Sequence, residues 1–467
     1  MGCPRRLFAA AALWLVTSSQ RARPRRDLGA SSAATSGQRY KPQRVATYAG
    51  PRLGDTVNRS ASPLPRPWSA CERCGVVTTI NPPSEAILRV GNASGWCLVV
   101  VGDRKTADGP YEALAAAAPA TVAYLSAAAQ ETLPYGLASA TPWDHFARKN
   151  LGYLYAIHAG AATIFDFDDD NVLLGAPPAS AGAAARASDP RLAAPDAPDA
   201  GSAFFNAYAA SFGAEKAWPR GLPLDAINGP AAAAAADDPR AADDVVVAQL
   251  LANHDPDVDA IYRLGPRAAL PLPFDFPSSH GRGVVLDGGA VCPFNAQATL
   301  FDRAAFWALL LPASVHGRVA DIWRGFVAQR VLRAAGLRLA FLPPGVTQLR
   351  NDHDALADYM SERPLYEKAD AVVRVLDGVA PHRPGGSVAR AVEDAYVALY
   401  EHGLVALDDV AYAQLWLADL YAVGLALPKL RRHKARTPGA TTAAARAPSR
   451  PSPSSTAAAT ATPPARQ

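Results

Sequence analysis

The chain has 467 residues, more than one average domain, and its net charge of +4 hides an uneven distribution. Residues 1–52 carry ten Lys+Arg against one acid and residues 431–467 carry seven against none, so the body between them is at −12, which argues against a nucleic-acid partner because a basic face is the usual footprint. Alanine runs such as AAAAAADDPR inflate the 49% hydrophobic fraction, and the segments rich in Val, Leu, Ile and aromatics fall between residues 71 and 425, as for one large domain with appendages.

Residues 1–20 place an apolar stretch, Leu7 to Ser19, between arginines. It is shorter than the roughly 17–25 residues of a membrane span and suits a signal peptide or a short signal anchor. The expected location is the Golgi or secretory lumen, with an organelle as the alternative reading of an Arg- and Ser-rich leader. Residues 21–70 read as a disordered stem. Two tripeptides, Asn58-Arg59-Ser60 and Asn92-Ala93-Ser94, are glycosylation acceptors if the body is luminal. Cys71 and Cys74 have CxxC spacing, but no second pair follows, so one local disulfide or two free thiols is expected rather than zinc.

GVVTTI (75–80), WCLVVVGD (96–103) and ATVAYLS (120–126) read as buried strands. TPWDHFARKNLGYLYAIHAG reads as a helix from Thr141-Pro142 to Gly160, and the strand ATIFDFDDD follows. This alternation predicts an α/β fold with a parallel or mostly parallel sheet, whose ligands bind at the carboxyl ends of the strands. Residues 175–201 and 230–243 read as flexible insertions. GRVADIWRGFVAQRVLRAAG is predicted helical and LRLAFLPPGVTQLR strand-like, a helical extension covers 371–430, and 431–467 read as a disordered basic tail.

TIFDFDDDNVLL (163–174) sets four carboxylates within five positions. Two carboxylates about 4 Å apart repel by roughly 4 kcal/mol at an effective dielectric near 20, so these must spread into water or share a cation. Period two puts Ile164, Asp166 and Asp168 on one strand face, opposite Phe165 and Phe167. Crowded hard oxygens at a sheet end suit Mg²⁺ or Mn²⁺ bridging a diphosphate, whereas a solvated acidic turn is the structural alternative. In VVVGDRKT, Asp103 suits a nucleoside, and Arg104 and Lys105 suit phosphate, unless they form a salt-bridged turn. NDHD offers Asp352 as a general base and His353 as a metal ligand, or an Asx-rich turn. Asp321, two residues before Trp323, suits a base beside a sugar platform, or an acid at a helix start.

Together CERCGVVTTINPPSEAI, WCLVVVGDRKT, the block from YLSAAAQ to DFDDDN, GLPLDAI, ANHDPDVDAIYRL, PFNAQATLF and the block from DIWRGFVAQ to NDHDALAD resemble the STELLO family of glycosyltransferases, in order, over residues 71–369. The resemblance implies a GT-A domain over 71–370, a Golgi type II protein and, in plants, a link to cellulose synthase assembly. Its DXD-type motif falls on Asp168, Asp169 and Asp170, its GDRKT and RKN blocks on Gly102–Thr106 and Arg148–Asn150, and its NDHD on Asn351–Asp354. Joined to the residue readings above, this gives Asp168, Asp170 and His353 as expected metal ligands, Asp103, Arg104, Lys105, Arg148, Asn150 and Asp169 as expected donor contacts, and Asp321 or Asp352 as the expected acceptor base. Against the family pattern, Cys74 stands where an aromatic is usual.

The expected function is therefore metal-dependent transfer of a sugar from a nucleotide-diphospho-sugar to a glycan or protein acceptor. One alternative is a non-catalytic scaffold assisting a polysaccharide synthase. A minor one is a haloacid-dehalogenase-type phosphatase, whose DxDx[TV] motif Asp166-Phe167-Asp168-Asp169 only partly matches.

Overall fold

The computed structural model describes residues 41–52, 64–68, 71–195, 201–227, 233–265, 272–277, 281–351, 353–380 and 382–431. All belong to one structural unit, and a second, Lys434–Gln467, lies outside the described residues, as do the apolar segment and Asn58. No helix among the described residues is long and apolar enough to cross a membrane.

The strands in chain order are β1 (Arg73–Thr78), β2 (Cys97–Val101), β3 (Val122–Leu125), β4 (Thr163–Phe167), β5 (Asn171–Leu173), β6 (Arg191–Pro195) and β7 (Ala203–Phe204), then β8 (Ala233–Ala236), β9 (Val245–Asn253), β10 (Val284–Leu286), β11 (Ala290–Val291), β12 (Ala298–Asp302) and β13 (Arg338–Gln348). The central sheet has the order β3-β2-β1-β4-β12-β9-β13-β10-β6-β8, with β5 added beside β13, and β7 pairs with β11 apart from it. Seven of its eleven strands run one way; β5, β6, β10 and β12 run against them. This is the expected α/β architecture, a mostly parallel mixed sheet flanked by helices, with a GT-A-like arrangement.

Strand periodicity sorts the side chains onto two cores. Val76, Val99, Val101 and Ile164 pack on one face with the helices Lys149–His158 and Gly317–Ala335, while Val77, Leu98, Val100, Phe165 and Phe167 pack on the other. Gly152 is what lets the Lys149–His158 helix lie close: a Cβ there would sit 2.6 Å from Val101 Cγ2 and 2.7 Å from Val76 Cγ1.

Several expectations are revised. The helix expected from Thr141 begins as a short 3-10 turn at Phe146 and becomes α-helical only at Lys149. The cause is Asp103, whose carboxylate accepts from the N–H groups of Asp144 and His145 and holds that segment as a loop, with Asp144 at φ 52°.

The insertion expected at 175–201 contains the Ala181–Ala187 helix, capped by Ser180 and anchored through Ala181 N and Gly182 N on the Asp302 carboxylate, followed by β6. The one at 230–243 contributes β8, antiparallel to β6. Alanine propagates helices well and is small enough to pack closely, so these runs are not merely filler. Within the expected stem, residues 41–52 and 64–68 strap onto the C-terminal helices: Arg44 and Tyr48 N meet Glu401, Arg52 meets Asp394, and Leu64 N donates to Ala422 O. The boundary expected at 370 falls inside the Ala355–Asp377 helix, and the Val388–Glu401 and Leu407–Ala422 helices share the first core.

The cysteine expectation is also corrected, because Cys71 forms a disulfide with Cys97 and leaves Cys74 a buried thiol pushed up to about 12 by burial. Cys71 lies just before β1, and the parallel pairing of β1 with β2, Cys74 opposite Cys97, brings Cys97 within reach of it, their Cα atoms 6.4 Å apart.

Candidate active site

The acidic cluster lies at the carboxyl end of β4, and its four carboxylates have four different surroundings. Asp166 is fully buried, with Lys149 Nζ 2.7 Å from Oδ1, Arg324 2.7 Å from Oδ2 and the Tyr153 hydroxyl donating to Oδ1 at 2.8 Å. Both of its oxygens are thereby held by structural partners, which counts against the phosphatase reading, in which Asp166 would be the attacking nucleophile.

Asp168 receives the same ammonium at 3.0 Å, while about a third of its side-chain surface reaches solvent. Desolvation pushes its carboxyl up to about 7, Lys149 pulls against the rise, and Asp170 and Asp166 add to it. Asp169 is tied to β1's exit loop: its carboxylate accepts from the Thr79 hydroxyl and Asn81 Nδ2, and its carbonyl from the Ser84 hydroxyl. Asp170 accepts from Gln348 Nε2 at 3.1 Å and Asn171 Nδ2 at 2.7 Å; burial raises it most, with Asp169 adding. Pairing of β5 with β13, Asn171 opposite Gln348, is what sets Asp170 there.

Lys149 is the residue that sequence reasoning passed over. Its Nζ also donates to Phe167 O and Ala296 O, so the ammonium is fully coordinated inside the protein. The available signal was a lysine opening an otherwise apolar helix, four residues before Tyr153 and hence on its face. Arg324 continues the chain of charge: it donates to Asn295 O, Asn295 Nδ2 to Asp257, and Arg220 bridges Asp257 and Asp321 at 2.8 Å each.

That network corrects the reading of Asp321 as an acceptor base. It lies in the second turn of the Gly317–Ala335 helix, buried, with both oxygens on Arg220 and further bonds from Ile322 N and Ala296 N. Trp323 is equally buried, donating to Leu404 O, and offers no sugar platform.

Asp103 accepts from three backbone N–H groups, those of Arg104, Asp144 and His145. The exposed Arg104 and the buried Arg148 both stack over Trp143, at 4.6 and 3.5 Å from ring atoms' centroid, and Lys105 pairs with Asp144 at 3.1 Å. Arg148 bonds Gln130 and the Thr141 carbonyl, and one terminal nitrogen is buried with no hydrogen-bond partner among the described residues. Asn150 is turned inward, its amide bonded to the Leu311 backbone and the Tyr412 hydroxyl.

His353 is held by Asp358, 3.3 Å away, which also binds Arg350 and Arg318. Among the described residues no group of three His, Cys, Asp or Glu is arranged to hold a metal ion, so His353 does not complete a set with Asp168 and Asp170. Asp352 lies outside the described residues. Among the described residues the four aspartates form ion pairs only with Lys149 and Arg324, so the partly open Asp168 and the Gln348-bound Asp170 lack a full complement of cations and would suit a divalent ion shared with a ligand's oxygens.

Residues 318–447 match the family model described as STELLO glycosyltransferases. The chain is 29% identical over 370 residues, 77% of its length, to the Arabidopsis thaliana protein named "Probable glycosyltransferase STELLO1", covering 45% of that relative. It is likewise 29% identical over 381 residues to "Probable glycosyltransferase STELLO2" from the same plant, 79% of this chain and 47% of that one. The chain thus spans about half the length of these curated relatives. The chain is thus similar to the STELLO glycosyltransferases, through the family model over residues 318–447 and through these two relatives over about three quarters of its length.

Proposed function

We propose that the chain transfers a sugar from a nucleotide-diphospho-sugar to a hydroxyl of a glycan or protein acceptor, with Mn²⁺ or Mg²⁺ held by Asp168 and Asp170. The observation that carries this reading is geometric: two carboxylates at the carboxyl edge of the sheet, Asp168 partly open to solvent and Asp170 held by Gln348, both raised by burial and neither given a full complement of cations by the described residues. When bound, a divalent ion supplies neutralisation of the charge that develops on the leaving diphosphate. Lys149 fixes one oxygen of Asp168, and Gln348 and Asn171 orient Asp170. Asp169 holds the loop to β1, while Asp103 acts through the 144–145 loop that it pins. Arg104 and Lys105 stand exposed at the end of β2, where they meet phosphate charge. In this reading Asp352 deprotonates the acceptor if the transfer inverts, and Asp321 has no such role.

The test is a calorimetric titration with manganese followed by a panel of UDP- and GDP-sugars. Manganese-dependent binding is expected, and its survival in a variant carrying both Asp168→Ala and Asp170→Ala would sink the assignment.

A scaffold assisting a polysaccharide synthase is the second reading, favoured by the absence of a three-ligand group among the described residues. Nucleotide-sugar hydrolysis above background counts against it. Location belongs to the same proposal: the Cys71–Cys97 disulfide suits the oxidising lumen of the secretory pathway rather than the cytosol.

A further inference from the structure

Asn92-Ala93-Ser94 is a motif that glycosyl transfer leaves unused. Asn92 ends the Glu85–Gly91 helix, its backbone N–H closing onto Leu88 O, and Ala93 N and Trp96 N continue the turn by donating to Val90 O and Ala93 O. Asn92 and Ser94 are exposed, and among the described residues the Asn92 side-chain amide has no hydrogen-bond partner. Gly95 at φ 72° carries the chain out of the turn and buried Trp96 anchors its end. An acceptor amide on a surface turn, with the hydroxyl residue two positions on equally free, is the geometry that N-glycosylation requires.

Two further observations bear on it. Cys97, five residues after Asn92, is bonded to Cys71, so the chemistry of this edge belongs to an oxidising compartment, where N-glycosylation also occurs. Position decides whether a glycan is tolerated: the turn precedes β2, at the amino edge of the parallel strands, whereas Asp103 and Asp168 follow the carboxyl ends of β2 and β4. The four steps of β2 from Cys97 to Val101 separate the two edges by about 13 Å at 3.3 Å per step. A bulky group on Asn92 is therefore attached at the edge of the sheet opposite the candidate site.

We infer that Asn92 is an N-glycosylation site, an inference that rests on the luminal location proposed above. Asn92 Nδ2 forms the new C–N bond to the anomeric carbon of a polyprenyl-diphosphate-linked oligosaccharide, the polyprenyl diphosphate departs with the electron pair of the broken C–O bond, and the amide loses one proton.

The test expresses the full chain in a eukaryotic secretory host and treats it with peptide N-glycosidase F, alongside Asn58→Gln, Asn92→Gln and Ser94→Ala variants. Non-reducing peptide mapping reads the disulfide in the same samples. The expected result is a loss of one glycan's mass that persists in Asn58→Gln and disappears in both Asn92→Gln and Ser94→Ala. An intact Cys71–Cys97 bond with no glycan on Asn92 overturns the site while leaving the luminal reading standing. Reduced cysteines with no glycan overturn both.

Discussion

Asp166 and Asp168 stand two residues apart on one strand face and share a single ammonium, yet they are opposites. Asp166 is sealed in and answered by Lys149, Arg324 and Tyr153. Asp168 has one of those partners, a window to solvent and a carboxyl pushed up to about 7. Asp419 marks the far limit: fully buried, among the described residues it accepts only the N–H groups of Gly136 and Leu137, and burial again pushes it up to about 7. The three teach that burial alone does not define a site. A carboxylate with its full complement of cations is structure, one with none is a stability liability, and one left partly answered at an open edge is ready for an incoming cation.

The largest effect should come from removing the shared ammonium. Lys149→Met leaves Asp166 and Asp168 facing each other with only Arg324 and Tyr153 in support, and breaking a buried pair in this way costs about 3–5 kcal/mol. Urea denaturation would measure it, and a loss below about 1 kcal/mol would show that Lys149 does not hold the cluster together.

Asp419 gives the next largest effect, and its sign follows from the direction of its shift. A carboxyl near 4 when unfolded and about 7 when folded binds its proton more tightly in the native state. Its stabilising contribution is complete below about pH 4 and is lost as pH rises through 7, by up to about 4 kcal/mol. Denaturation midpoints measured from pH 4 to 8 should therefore fall more steeply for the native chain than for Asp419→Asn. Parallel curves would mean that water or an unseen cation reaches Asp419. The smallest effect is Tyr153→Phe, which removes the hydroxyl that donates to Asp166 and accepts a long bond from Arg324 while Lys149 and Arg324 still hold the carboxylate, for about 2 kcal/mol. Thermal unfolding resolves a change of that size, and a much larger one would make the tyrosine part of the charge balance.

Much of the frame was legible in the chain. β1, β2, β3 and β4 announced themselves as short β-branched runs, and period two correctly put Ile164 opposite Phe165 and Phe167. Less could be read where a residue's meaning depends on a distant partner. Asp321 looked like an available acid near a helix start until Arg220, 101 positions away, was seen to occupy it. Asn150 sat in a promising block, yet Leu311 and Tyr412 claim its amide. The alanine runs carried no periodic signal, and only neighbouring strands turned them into a helix and an edge strand.

By itself the sequence determined the period of each strand, the crowding of acids at the end of β4 and the family likeness, because these depend on local order along the chain. The tertiary structure alone decided which carboxylates are answered, which cysteine meets Cys71 and which strand seats Asp170. Those outcomes depend on contacts between segments far apart in sequence, whose distances and desolvation exist only once the sheet is assembled.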